Sequence, residues 1–276
     1  MKEKQHKLIP LAKPTQPPLL DRNKLGYVFA GLLALSVIGF SETRNPAFAI
    51  IGFVFLLALF VHDILPSKWS KQEILATGKE LLYAVLLAVG AWLALQFILG
   101  TQAPLDVVTS CSMLPNLQRG DMILLQGKRP DVMTLEINGS FENLQKKLGV
   151  GRTDCTLLVG GTPVQAICTR SILYDGTAFP QKRDSDVIVF DASPRFYGLV
   201  VHRAFARLTN GTQEFYLTKG DNNLGIDQEA GFALVSPSDI KGVVIARIPL
   251  VGFLKLFLFM QFEEPQGCKQ LIQGGE

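Results

Sequence analysis

The sequence predicts a membrane-anchored, mainly-β domain with α-helical transmembrane segments at its N-terminus. Three observations carry this. The first 105 residues hold three long uncharged, apolar runs. The rest is punctuated into short β-like runs by Gly, Pro, Asn and Asp. The composition is 48% hydrophobic and only 18% charged, too apolar for an ordinary soluble domain of 276 residues. The net charge of +3 is too small to argue for a nucleic-acid partner, so none is expected.

Residues 1–24 are basic and Pro-rich and read as a cytoplasmic tail, with Lys2, Lys4, Lys7, Lys13, Arg22 and Lys24 against Glu3 and Asp21. The membrane region is expected over 25–105, with helices at about 25–41, 46–62 and 81–103. The first two runs are near the lower limit for a span, where about 20 residues are typical, and the polar turn Glu42–Pro46 between them suggests a helical hairpin. A signal peptide cut after Ala47-Phe48-Ala49 is the alternative, disfavoured because cleavage would leave a new apolar N-terminus. Residues 63–80, with Lys68, Lys71 and Lys79, read as a second cytoplasmic loop. Three crossings then put everything beyond Leu105 outside the cytoplasm.

From 106 to 262 a β-rich extracytoplasmic domain is expected. Its strands are read at 107–108, 122–125, 187–190, 199–201 and 214–217. An inserted excursion spans about 127–185, with a helix at 141–148 and a β-hairpin around Gly160. Residues 248–262 are apolar but short and contain Lys255. They suit a helix lying in the membrane interface with Lys255 reaching out to water, or a last strand and buried helix. Residues 263–276 are left as a C-terminal tail.

The four cysteines form no C-x-x-C pair, so no metal is expected, and no cofactor. Cys155 and Cys168 flank the hairpin centre and either pair in an oxidising space or stay as small core residues.

The chemistry concentrates in Ser110-Cys111-Ser112-Met113-Leu114-Pro115 and the following Arg119-Gly120-Asp121, immediately past the strongest apolar run. A serine there is a candidate nucleophile at a bilayer surface, or simply part of a polar loop. A hydroxyl needs a base, and His202 is the one histidine after the membrane region. Two carboxylates follow, Asp221 within Gly-Asp-Asn-Asn and Asp227. The Gly-Asp-Asn-Asn turn gives Asp221 a local duty, capping backbone N–H groups. Asp227 has no such duty, which favours it as the partner of His202.

The ordered set SCSMLPNLQRGD, VVHRAF, LTKGDNNLGID and VVIARIPLVG resembles type I signal peptidases of the archaeal and endoplasmic-reticulum branch. The likeness covers about residues 105–126 and 186–257. It implies a signal-peptidase-like β-fold and a membrane-bound serine endopeptidase that removes signal peptides after small residues at −1 and −3. By this resemblance Ser112 matches the nucleophile and His202 the general base, where the bacterial branch uses lysine. Asp227 matches the acid of the triad, Asp221 a supporting acid, and Ser110, with the backbone N–H of Ser112, the oxyanion hole. Substrate is expected to dock as an added strand beside Asp106–Ser110.

The implied partners are preprotein signal peptides, the lipid bilayer and a secretion translocon. The implied location is the cell membrane, multi-pass, with the catalytic domain on the extracytoplasmic side. Cys111 stands where the family has glycine, and Ile226 replaces the first of two aspartates. Cys111 is expected to be dispensable, with Cys111→Gly retaining activity. The competing functions are a catalytically silent membrane scaffold of the same fold, and a processing protease specialised for one partner with the excursion as its exosite.

Overall fold

The computed structural model describes residues 22–43, 45–64, 70–141, 144–193, 198–261 and 263–273. The expected basic tail therefore lies, apart from its last residues, outside the described residues. The chain divides into two compact units, Met1–Glu80 and Leu81–Glu276.

The first unit contains helices α1 (Arg22–Thr43) and α2 (Pro46–Ile64). Asn45 starts α2: its side-chain Oδ1 accepts the Ala47 N–H at 2.9 Å, and Pro46 supplies a first helical residue with its φ already set. Ser36 and Ala49 are buried between the two helices, and small side chains at such positions permit close approach without a hydrophobic driving force. Most other large apolar side chains here are exposed, among them Ile50, Val54 and Phe60.

Helix α3 (Lys71–Leu99) begins in the first unit and ends in the second. It starts ten residues earlier than expected, so most of the presumed 63–80 loop is helical. The cause is legible: Ser70 and Glu73 have the S-x-x-E spacing of a capped N-terminus, and the Glu73 N–H donates to Ser70 Oγ at 3.2 Å. The helix stops at Gly100, whose φ of 63° is left-handed, several residues short of 103. Among the described residues α2 and α3 are long and apolar enough to cross a membrane, whereas the apolar part of α1, Lys24–Phe40, is shorter.

The second unit carries two sheets. The larger is built from β1 (Leu105–Val107), β2 (Met122–Gln126), β3 (Thr134–Glu136), β7 (Val187–Asp191), β8 (Leu199–Thr209), β9 (Glu214–Lys219) and β10 (Ile240–Ile248). Its order is β1-β2-β10-β7-β8-β3, with β9 also on β8. The smaller holds β4 (Leu148–Val159), β5 (Thr162–Tyr174), β6 (Thr177–Pro180) and β11 (Gln270–Gln273), ordered β11-β4-β5-β6. The expected strands fall in β1, β2, β7, β8 and β9, and the mainly-β class holds.

The excursion departs from expectation in its strand pairing. Its strand β3 joins the larger sheet, parallel to β8, with Thr134 opposite Arg207. Residues 270–273, expected as tail, pair antiparallel with β4. The helix expected at 141–148 is the single turn α4 (Leu144–Lys147), because the chain turns directly into β4 at Leu148. The hairpin at Gly160 forms as expected, with Gly160 and Gly161 both at positive φ (57° and 86°). Cys155 and Cys168 are disulfide-bonded across it, and Cys111 is bonded to Cys268.

One apolar cluster joins the two sheets. Ile172 and Tyr174 of β5 pack with Phe205 and Leu208 of β8, Leu217 of β9 and Ile226, all buried. At such density, moving one sheet moves the other. In the 248–262 stretch, Ile248 ends β10 and only Phe253–Leu258 is helical (α5). Lys255 stays half-exposed, and its Nζ sits 2.9 Å from Asp106 Oδ1 on β1. The alternating burial that holds Leu256 inside leaves Leu254 and Leu258 exposed.

Candidate active site

Four elements bring the candidate residues together. Ser112 lies in the turn that leaves β1. His202 is on β8, opposite Ile188 of β7, and is 6% exposed. Thr218 is on β9, next to β8. Asp227, 3% exposed, opens the 3-10 turn Asp227–Ala230.

The side chains form a continuous chain of contacts. Ser112 Oγ is 2.9 Å from His202 Nε2. His202 Nδ1 is 2.6 Å from Asp227 Oδ2. Thr218 Oγ1 donates to the same Oδ2 at 2.6 Å. Buried in this way, the carboxylate needs donors, and Thr218 together with the imidazole supplies them. Ser110 Oγ is 3.2 Å from Ser112 Oγ.

Asp221 is placed elsewhere. It takes Arg203 bidentately, Nε to Oδ1 and Nη2 to Oδ2, both at 2.8 Å, and accepts Asn116 Nδ2 at 2.7 Å. The expected local capping of its turn is thus replaced by a largely buried ion pair. Arg203 follows His202 in the strand and points to the opposite face, so Asp221 holds β8 from behind the site.

The turn bearing Ser112 is tied down on several sides. Arg119 Nε donates to the Thr109 carbonyl at 3.1 Å. Asp121, buried, accepts the Gln118 N–H at 2.9 Å. The Asn222 N–H donates to the Ser112 carbonyl at 2.7 Å. Gly220 must lack a side chain here, since a Cβ would lie 2.7 Å from the Ser112 carbonyl oxygen. Cys111, expected to be a dispensable neighbour of the serine, is instead one half of the Cys111–Cys268 disulfide. Their sulfurs are bonded to each other, so neither offers a thiolate to a metal.

Lys219 is 2% exposed. Burial, seconded by the Arg170 guanidinium, pulls its ammonium down to about 8, against the opposing pull of Asp221, Asp227 and Glu229. Sequence reasoning singles out Ser110, Ser112, His202, Asp227 and Asp221. It passes over Thr218, Lys219 and Asn222, although all three lie in or beside the Lys-Gly-Asp-Asn-Asn motif.

A cleft of about 590 Å³ opens on the reacting groups. Its walls include Val108, Ser110, Leu199, Phe232, Leu256 and Phe259. One wall is β1, the edge strand of the larger sheet.

No protein-family model matches the chain. It is similar to the signal peptidase complex catalytic subunit SEC11 of Fusarium vanettenii, 27% identical over 188 residues, covering 66% of this chain and 81% of that protein. It is similar to the subunit of the same name from Schizosaccharomyces pombe, 26% identical over 196 residues, covering 69% and 86%. That from Verticillium alfalfae is 27% identical over 170 residues, covering 60% and 70%. The ordered motifs, the mainly-β fold and these similarities agree that the chain is a relative of the catalytic subunits of the signal peptidase complex, of the endoplasmic-reticulum branch of type I signal peptidases.

Proposed function

We propose that the protein is a membrane-anchored serine endopeptidase that removes signal peptides from translocated preproteins after small residues at −1 and −3. The observation that carries this reading is the contact chain Ser112–His202–Asp227, with distances of 2.9 and 2.6 Å. In the reaction Ser112 Oγ attacks the peptide carbonyl while His202 Nε2 takes its proton and later gives it to the leaving amine. Asp227 accepts from Nδ1–H, holding the tautomer and offsetting the positive charge of the imidazolium. The Ser112 N–H and the Ser110 hydroxyl act as donors to the oxyanion, a contribution of roughly 3–4 kcal/mol for each donor lost. The water that ends the cycle attacks the acyl-enzyme with the same imidazole as base.

Substrate docks as an extended strand along β1 at Asp106–Ser110, supported by the position of β1 at the sheet edge. The apolar cleft walls then exclude all but small side chains flanking the scissile bond. We place this unit on the extracytoplasmic side of the cell membrane, on a multi-pass anchor and within reach of a secretion translocon. Two disulfides favour an oxidising space.

The test is cleavage of a preprotein with an A-x-A site by the wild-type and Ser112→Ala proteins. Cleavage by wild type alone is expected. Equal cleavage by both would refute the mechanism, and no cleavage by either would favour a silent scaffold.

A further inference from the structure

The four-stranded sheet contributes no group to the chemistry just described, yet it is tied from two directions to the segments that carry the reacting groups. The first runs through β11. One edge of β11 pairs with β4. The other edge is met by the side chain of Asn222, whose Nδ2 donates to the Gln270 carbonyl at 2.8 Å and whose Oδ1 accepts the Ile272 N–H at 2.8 Å. The same Nδ2 reaches the Cys111 carbonyl at 3.1 Å, while the Asn222 N–H holds the Ser112 carbonyl. Just before β11, Cys268 is disulfide-bonded to Cys111, the residue preceding the nucleophile.

The second route runs through Glu229, two residues after Asp227. Its Oε2 accepts Thr169 Oγ1 of β5 at 2.8 Å and the Ile226 N–H at 3.1 Å. Its Oε1 takes Arg152 of β4 at 2.6 Å. The Thr169 N–H donates to the Leu224 carbonyl at 2.8 Å. Arg152 is largely exposed, so its ion pair alone holds little. Thr169 is buried, and its two bonds fix the segment that presents Asp227.

We infer that the four-stranded sheet is a buttress that sets the position of Ser112 and Asp227 relative to His202, with Cys268, Asn222 and Glu229 as positioning residues. The inference deepens the peptidase reading and rests on it. A coupling of this kind acts on rate more than on binding. The substrate lies along β1 in the larger sheet, whereas the buttress controls the alignment of nucleophile, base and acid. Displacement of a reacting group by about 1 Å costs on the order of 10²-fold in rate. The disulfide makes one strut reversible. A dithiol supplies two electrons and two protons, opening the Cys111–Cys268 bond to two thiols while the dithiol closes to its cyclic disulfide.

The experiment uses the full chain in detergent micelles with the A-x-A preprotein. Cys268→Ser is expected to lower kcat on the order of 10²-fold with KM changed less than about 2-fold. Dithiothreitol should bring wild type to the same level, reoxidation should restore it, and Cys268→Ser should not respond. A Cys155→Ser/Cys168→Ser variant should keep the dithiol response, assigning it to Cys111–Cys268. Glu229→Ala should lose kcat, and Glu229→Gln, which keeps the oxygen facing Thr169 and Ile226, should recover most of it. Hydrogen exchange read in parallel should show the Asn222 amide and residues 109–117 losing protection on reduction. That readout needs no activity, and it serves equally if Cys268→Ser fails to fold. Unchanged kcat, or unchanged exchange on reduction of the native protein, would overturn the buttress. If Ser112→Ala cleaves like wild type, the peptidase reading falls, and the exchange measurement still decides whether the sheet holds the loop.

Discussion

Replacing Lys219 by Met should stabilise the protein near neutral pH and flatten its stability at alkaline pH. The ammonium is 2% exposed and donates only weakly, to the Gly220 carbonyl at 3.4 Å. Three carboxylates, Asp221, Asp227 and Glu229, pull its proton affinity up, but burial and Arg170 prevail and bring it from 10.5 to about 8. The unfolded chain keeps this proton up to about 10.5, whereas the folded chain releases it near 8. Between those values the unfolded state binds more protons, so stability rises with pH across that window. The separation corresponds to about 3 kcal/mol, which is the penalty for holding the charged form folded at neutral pH. Lys219→Met removes the charge and keeps most of the apolar stem. It should gain up to about 3 kcal/mol near pH 7 and nothing near pH 11, where wild-type lysine is neutral in both states. Urea unfolding followed by pulse proteolysis, on full chain in micelles at both pH values, measures the difference. A variant no more stable than wild type near neutrality, or a gain that persists unchanged at alkaline pH, would refute the reasoning.

Asp227→Asn should fold and lose kcat on the order of 10⁴-fold, as in the serine-protease template where the amide imposes the wrong imidazole tautomer; steady-state kinetics on the folded variant decide. Asp221→Asn should act mainly on stability, by about 3 kcal/mol, because it leaves the largely buried Arg203 guanidinium without its anion; a urea midpoint unchanged from wild type would contradict this. Gly220→Ala should lower kcat with circular dichroism unchanged, since its Cβ would press on the Ser112 carbonyl at 2.7 Å and displace the nucleophile; a fully active Gly220→Ala protein would show that the turn yields freely.

The elements legible in the sequence were those set by local pattern. The β-like runs were readable because alternation and turn residues are local, and the Gly160 hairpin because paired glycines accept positive φ. Asp227 rather than Asp221 stands beside His202, but the reason offered for preferring it does not hold. Asp221 is occupied by Arg203 and Asn116, partners 18 and 105 residues away, not by its own turn. What the sequence hid was non-local. Nothing near Cys111 announces a partner 157 residues on, and nothing in 263–273 suggests a strand, since β11 gains its pairing only when β4 is already in place. The early start of α3 could have been read from Ser70-x-x-Glu73, but the lysines of 63–80 suggested a loop.

The exposed edge at β1 has a consequence for which proteins can be cut. The strand is only three residues long, Leu105–Val107, preceded by Pro104 and carrying Asp106. Brevity, proline and an acidic residue are the devices by which natural sheets discourage indiscriminate edge pairing. Such an edge offers main-chain groups to a few residues of extended chain and nothing to a helix or a folded surface, whose own N–H and C=O groups are already engaged. Under the proposed function, selection would thus begin before any side chain is read. A preprotein qualifies while the segment around its cleavage point is still unfolded, and leaves the competition once that segment has folded, which makes cleavage a race against the maturation of the substrate.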